Sequence, residues 1–172
     1  MPTKIFWIDV PSKGKIGIMP RPRGGDWLKS EITSFQNEGV DIMVSLLTFA
    51  ETEELGLCEE ASLCEHCGIT FYSLPIPDRN APESILKTKI TLDLLNNLSK
   101  QGKNIAIHCR QGIGRSGLIA ASVLVNQSIS VSEAFRRIEA ARGCTVPDTA
   151  EQKEWVSSFA DFISTGNRMQ LS

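Results

Sequence analysis

The chain has 172 residues, of which 41% are hydrophobic and 22% charged, the balance of a globular protein long enough to bury one substantial core. Its formal net charge is −2, so no global basic field draws it to nucleic acid or an anionic membrane. No apolar run reaches the roughly 18 residues of a membrane span. Five cysteines, an odd number, point to free thiols in a reducing compartment.

Met1–Val10 lacks the basic-then-apolar layout of a signal peptide and reads as a first strand, which implies a cytoplasmic location. Further apolar runs of strand length follow at Ile16–Met19, Val40–Leu47, Ile69–Leu74 and Asn104–His108. Helical patterns lie between them. Asp26 is expected to cap a helix to Glu38 that buries Leu28, Ile32 and Phe35 and stops at Gly39. Thr52 to Cys67 reads as one helix broken near Gly56. Pro82-Glu83 opens another, with Ile85, Leu86, Ile90, Leu94, Leu95 and Leu98 expected on its inner face.

Leu118–Asn126 is apolar nearly all round and suits a central helix. Ser130 or Ser132 caps Ala134–Arg142. Thr149 precedes a last helix carrying Trp155, Val156, Phe159 and Ile163, and Thr165–Ser172 is expected to be loose. The alternation predicts a single α/β domain over residues 1–172, a three-layer sandwich with a mostly parallel sheet of about five strands.

The chemistry concentrates in His108-Cys109-Arg110-Gln111-Gly112-Ile113-Gly114-Arg115-Ser116. A buried strand delivers Cys109 into a glycine-bearing loop, and a helix begins where the loop ends. Converging N–H groups, a helix N-terminus and the planar fork of Arg115 all favour a doubly charged oxyanion beside the sulfur. Ser116 can donate to a thiolate. His108, one of only two histidines, is adjacent on a strand and should face away from the sulfur, bracing the loop rather than acting as a base. The ATP-type phosphate loop does not match, because no Lys-Ser or Lys-Thr follows the last glycine.

Transfer from an ester to sulfur also needs a proton for the leaving oxygen. Leu74-Pro-Ile-Pro-Asp-Arg-Asn-Ala-Pro82 follows a predicted strand, and Asp78 is its only acid. The alternative for Asp78 is an ordinary turn in which it pairs with Arg79.

His108-Cys109-x5-Arg115-Ser116 resembles the phosphate loop of the cysteine-dependent protein tyrosine phosphatase superfamily, in its dual-specificity branch. The resemblance implies that Cys109 is the nucleophile and forms a phosphocysteine. It makes Arg115 the phosphate-binding arginine, with residues Arg110, Gln111, Gly112, Ile113 and Gly114 as the cradle. Ser116 assists the leaving sulfur, and Asp78 is the general acid, in a loop where Ile76 replaces the family's usual tryptophan. Val146-Pro-Asp-Thr-Ala-Glu-Gln152 is similar to the family's glutamine loop, with Asp148 in the first glutamine's place, so Gln152 is expected to position the hydrolytic water. Locally, Asp148 or Thr149 serves equally as a helix cap.

The implied activity is hydrolysis of phosphotyrosine, with phosphoserine and phosphothreonine also open, on a phosphorylated protein partner. No cofactor or metal is implied, and the chain is expected to act as a monomer. Hydrolysis of phosphoinositides or other non-protein phosphates is a second reading, lowered by the apolar Ile113 within the loop. A phosphate-binding module with little catalysis is a third. Cys64-x-x-Cys67 with His66 has a zinc-like short spacing but no second pair, so core packing is the stronger reading. The resemblance also raises a protective disulfide between Cys109 and Cys58.

Overall fold

A computed structural model describes the backbone of residues 1–171, with side chains through residue 166. Five strands, β1 (Phe6–Ile8), β2 (Ile16–Pro20), β3 (Ile42–Ser45), β4 (Thr70–Ser73) and β5 (Ile105–Cys109), form one sheet in the order β1-β2-β5-β3-β4. β1 runs antiparallel to β2, and every other pairing is parallel, so the sheet is mixed. Seven helices accompany it among the described residues: α1 (Leu28–Asn37), α2 (Phe49–Glu54), α3 (Glu60–His66), α4 (Ile85–Lys100), α5 (Gly114–Asn126), α6 (Val131–Arg142) and α7 (Ala150–Leu171). None is long and apolar enough to cross a membrane.

The two-residue period of the strands builds two cores. Ile16 and Ile18, Ile42 and Val44, and Ile105, Ile107 and Cys109 project to the side covered by α4, α5, α6 and α7. Met19, Met43 and Ala106 project to the other, against Leu28, Ile32 and Phe35 of α1 and Cys64 of α3. β5 is central and buried along its whole length, as the apolar run predicts. α5 is buried from Gly114 to Val125, which explains why its sequence shows no polar face.

Several boundaries shift for identifiable reasons. Asp26 does not cap α1; it sits in a 3₁₀ turn, Gly25–Trp27, and Trp27 precedes the helix without a side-chain cap bond. The broken helix is two helices, and the first begins earlier than expected, at Phe49, because Thr48 and Glu51 form a reciprocal capping box. Ser130, not Ser132, caps α6, and Gly143 ends it in the left-handed region at φ +81°. The segment from Thr165 continues the α7 backbone to Leu171, while Ser172 of the expected loose tail lies outside the described residues.

The largest correction concerns α4. Leu86 (67% exposed), Ile90 (74%) and Leu94 (38%) face outward, although their spacing places them on the expected inner face. The buried stripe is Thr88, Leu92, Leu95, Asn96 and Ser99. Polar contacts set this rotation: Ser99 Oγ donates to Ser12 Oγ at 2.6 Å, and Asn96 Nδ2 donates to the Asn126 carbonyl at 3.4 Å.

Removing side-chain volume from the central strand tests the core assignment. Ile107→Ala is expected to lower stability by about 2–5 kcal/mol in urea unfolding. Ile90→Ser, on the exposed face of α4, is expected to stay within about 0.5 kcal/mol of the parent chain. A large loss for Ile90→Ser would place that face in a core.

Candidate active site

Cys109 closes β5 with 3% of its surface exposed, and the chain then curls over it before α5 begins at Gly114. Gly112 makes the curl possible. Its φ is +73°, and a Cβ there would collide with the backbone of Met19 and Pro20. The loop is held from outside. The Arg21 N–H donates to the Arg110 carbonyl at 3.3 Å, while Arg142 donates to the Gln111 and Gly112 carbonyls at 3.3 and 3.1 Å. In a planar trans peptide the next N–H points opposite to the carbonyl. Three outward carbonyls therefore turn the N–H groups of Gln111, Gly112 and Ile113 inward, and Gly112 N–H indeed donates to Cys109 Sγ at 3.3 Å. The thiol donates to Ser116 Oγ at 3.3 Å; once deprotonated, the sulfur can accept from that hydroxyl instead.

Arg115 is 1% exposed, so its charge must be met within the protein. Glu51 meets it with both oxygens, at 2.8 Å to Nη1 and 2.9 Å to Nη2. Nη1 also donates to the Ile76 carbonyl at 2.8 Å, and Nη2 to Asp78 Oδ1 at 3.0 Å. Burial works against the guanidinium charge, but Glu51, Cys109 and Asp78 together raise its pKa above the usual value. The Nη protons are thus spoken for, and Nε–H has no protein partner among the described residues. A ligand oxygen can take Nε–H at once, and the Nη2–H now given to Asp78 by displacement.

Glu51 is the residue that the sequence reading lacks. Its signal was present, since Thr48-x-x-Glu51 is a capping-box pattern. Burial pushes the Glu51 pKa up, but hydrogen bonds from Arg115 and Thr48 and the arginine's charge outweigh it and draw it to about 2. Arg110 leans on the same helix, 3.4 Å from Glu51 and 3.1 Å from Glu54. Arg142 also stacks on Phe6 at 4.2 Å.

Cys109, Arg115, Asp78, Arg110 and Gln111 line a single cavity of about 250 Å³, together with Arg79 and Asp148. That is below the range of drug-sized pockets and suits a phosphoryl group. Gln152 is fully buried behind the cavity, with its Nε2 3.1 Å from where a Cβ on Gly114 would lie; its Oε1 accepts from the Asp148 and Thr149 N–H groups at 3.1 and 3.2 Å, and its Nε2 donates to the Asn80 carbonyl at 3.1 Å. Thr149 Oγ1 caps α7 by accepting from Gln152 N–H at 3.1 Å. Asp148 presents its carboxylate to the start of α5, where a Cβ on Gly114 would strike it. His108 faces the opposite side of the sheet, donating from Nε2 to Glu60 Oε1 at 2.7 Å. Cys64 is a core residue whose thiol is pushed up to about 12 by burial and then by Glu60, and Cys58 is exposed and free.

The Glu51–Arg115 pair yields a test. Glu51→Gln is expected to lower kcat/KM for an aryl phosphate by roughly 10- to 100-fold through a misplaced guanidinium. The Glu51 pKa is depressed from 4.5 to about 2, so its stabilisation is complete above pH 4.5 and is lost as pH falls towards 2. Acid unfolding curves of the parent and Glu51→Gln should therefore converge below that window and diverge above it.

Comparison with known proteins accords with this geometry. A family model described as "Polymorphic toxin system, DSP-PTPase phosphatase" matches residues 17–128. Cyclin-dependent kinase inhibitor 3 of Rattus norvegicus is 26% identical over 139 residues, covering 80% of this chain and 65% of the relative. Its Homo sapiens counterpart is 28% identical over 128 residues, covering 73% and 60%. The chain thus spans about two thirds or less of these curated relatives. Among solved structures, kinase associated phosphatase with its catalytic-site cysteine changed to serine superposes with a TM-score of 0.86 at 22% identity, covering 95% of this chain and 97% of that one. Tk-PTP in its active form gives 0.72 at 24% identity, covering 91% and 97%. Both show a shared fold. With more than half of its length matched by the family model, the chain belongs to the DSP-PTPase phosphatase family.

Proposed function

We propose that the chain hydrolyses phosphomonoesters on proteins, phosphotyrosine foremost and phosphoserine or phosphothreonine as well, through a phosphocysteine intermediate. The observation that carries this reading is the convergence of Cys109, Arg115 and Asp78 on one phosphate-sized cavity. The family match and the name of a further relative, Protein-tyrosine-phosphatase MKP1 of Arabidopsis thaliana, support the class of reaction.

The substrate phosphate enters over Cys109, takes the inward N–H groups of the loop, and engages Nε and Nη2 of Arg115. Asp78, displaced from Nη2, is then free to turn towards the leaving oxygen. The thiolate attacks phosphorus, the ester P–O bond breaks, and Asp78 delivers its proton to the leaving oxygen. In the second step water attacks phosphorus, the P–S bond breaks, and a carboxylate takes the water's proton. Ser116 stabilises the departing thiolate, to which it lies 3.3 Å away. Asp148 is the cavity-lining group at the glutamine-loop position, so we assign it the orientation of this water. Gln152 then acts as a positioning residue, holding the Asp148 and Thr149 N–H groups and tying them to Asn80 of the acid loop.

Three substitutions test the scheme on an aryl phosphate and a phosphotyrosine peptide. Cys109→Ser is expected to abolish turnover while retaining substrate binding. Asp78→Asn should cost about 10²- to 10⁴-fold with poor leaving groups and much less with good ones. Arg115→Lys should weaken phosphate binding, because an ammonium lacks the planar fork. Full activity in Cys109→Ser would sink the mechanism.

A further inference from the structure

A second, smaller cavity of about 190 Å³ opens beside the phosphate site, between α2, α3 and the ends of β3 and β4. Its walls are apolar: Leu47, Leu57, Phe71 and Pro75, with Phe49 as an exposed lip. Its polar floor includes Glu60, a carboxylate whose side chain is only 2% exposed. Glu60 accepts one hydrogen bond, from His108 to Oε1, and among the described residues Oε2 has no partner. Oε2 is also not among the side-chain atoms sealed from solvent. It therefore remains accessible from the cavity that Glu60 lines. A carboxylate can accept about four hydrogen bonds, so most of this one's capacity is unused.

A buried carboxylate with one protein partner at the base of an apolar crevice is a receptor for a cation on an apolar stem. Lysine and arginine side chains have that form, lying along apolar surface with the charge at the tip. The volume admits one such side chain and excludes a drug-sized ligand. Phe49 stands where its ring can flank the incoming stem.

The position relative to the phosphate pocket gives the crevice a purpose. α2 separates the two: Phe49 and Thr52 line the crevice, while Glu51 and Glu54 hold Arg115 and Arg110 on the phosphate side. A helix is about 10–12 Å across, and an extended chain advances about 3.3 Å per residue. A peptide crossing α2 thus spans it in roughly three to four residues.

We propose that this crevice is a recognition site for one basic side chain of the phosphoprotein substrate, placed about three to four residues from the phosphorylated one. Glu60 is the specificity-determining residue. The carrier of the side chain rests on the protein-phosphatase reading, whereas the cation selectivity of the crevice does not.

Two measurements separate these parts. N-acetyl-lysine methylamide and its norleucine counterpart are titrated into the isotope-labelled protein and followed by NMR. The lysine compound is expected to shift the amides of Ser45, Glu60 and Ala61 saturably, with the uncharged analogue about tenfold weaker. Equal binding of the two, or no shift at these amides, overturns the site. Glu60→Gln should remove the tenfold preference, and Ala61→Phe, which fills the crevice, should remove it even if the first variant fails to fold.

In the second measurement, phosphotyrosine peptides carry a lysine, or norleucine, two to six residues away on either side. Each rate is divided by the same protein's rate on an aryl phosphate. A rise of about tenfold in kcat/KM for lysine at one spacing supports the substrate assignment. No preference at any spacing overturns it. If aryl phosphate is turned over and no phosphopeptide is, the protein-phosphatase reading falls, and the titration alone judges the crevice.

Discussion

A guanidinium with 1% exposure organises this molecule. A charge taken out of water costs several kcal/mol unless geometry and partners make it good. The chain supplies those partners from two places remote from Arg115 in sequence, α2 and the loop after β4. Glu51 comes from the first turn of α2, the Ile76 carbonyl from the strand-to-loop junction, and Asp78 from the loop tip. Meeting one cation therefore fixes the relative placement of α2, the acid loop and the phosphate loop. The same cation is half-committed on the cavity side, where Asp78 is 53% exposed and can yield its place to a ligand. Structure and chemistry draw on different faces of one planar group.

The phosphate loop is shaped as much from behind as from within. Arg142 and the Arg21 N–H take up three successive carbonyls, which leaves the loop's donors facing the pocket. Arg142 is braced by the ring of Phe6 in β1. In this way the antiparallel edge strand, far from Cys109 in sequence, contributes to the polarity of the loop. Net charge plays no part: the chain carries −2 overall, and the inward turn of these N–H groups is a matter of local orientation.

Much of this was legible in the residues. Cys109, Gly112, Arg115 and Ser116 lie in one short segment, so their spacing announces their geometry. Asp78 was readable because a strand and prolines place it at the same edge of the sheet. The alternation of β5 correctly separated His108 from Cys109. What was not legible depends on long reach. Thr48-x-x-Glu51 marks a helix start, yet nothing local says that its carboxylate meets an arginine 64 residues later. The rotation of α4 was misread because hydrophobic spacing counts Leu86, Ile90 and Leu94 equally with Leu92 and Leu95. Partly buried hydrogen bonds of Ser99 and Asn96 lie on the inner face and decide between the two. Gln152 matches a motif position, but its hydrogen bonds to the backbone of residues 148, 149 and 80 depend on contacts that no local pattern shows.

β5 commits its two faces to different neighbours. Cys109 belongs to the face of β5 that packs on α5, and His108 to the face that meets Glu60. Because the period is two, a single-residue insertion or deletion between Ile105 and Cys109 would invert the strand end. With an insertion an imidazole would then enter the cavity, and the sulfur would lie among the residues of α3. Length variation in natural or engineered versions of this chain should consequently fall in the loops around β5, while the strand itself admits substitution but no change of count.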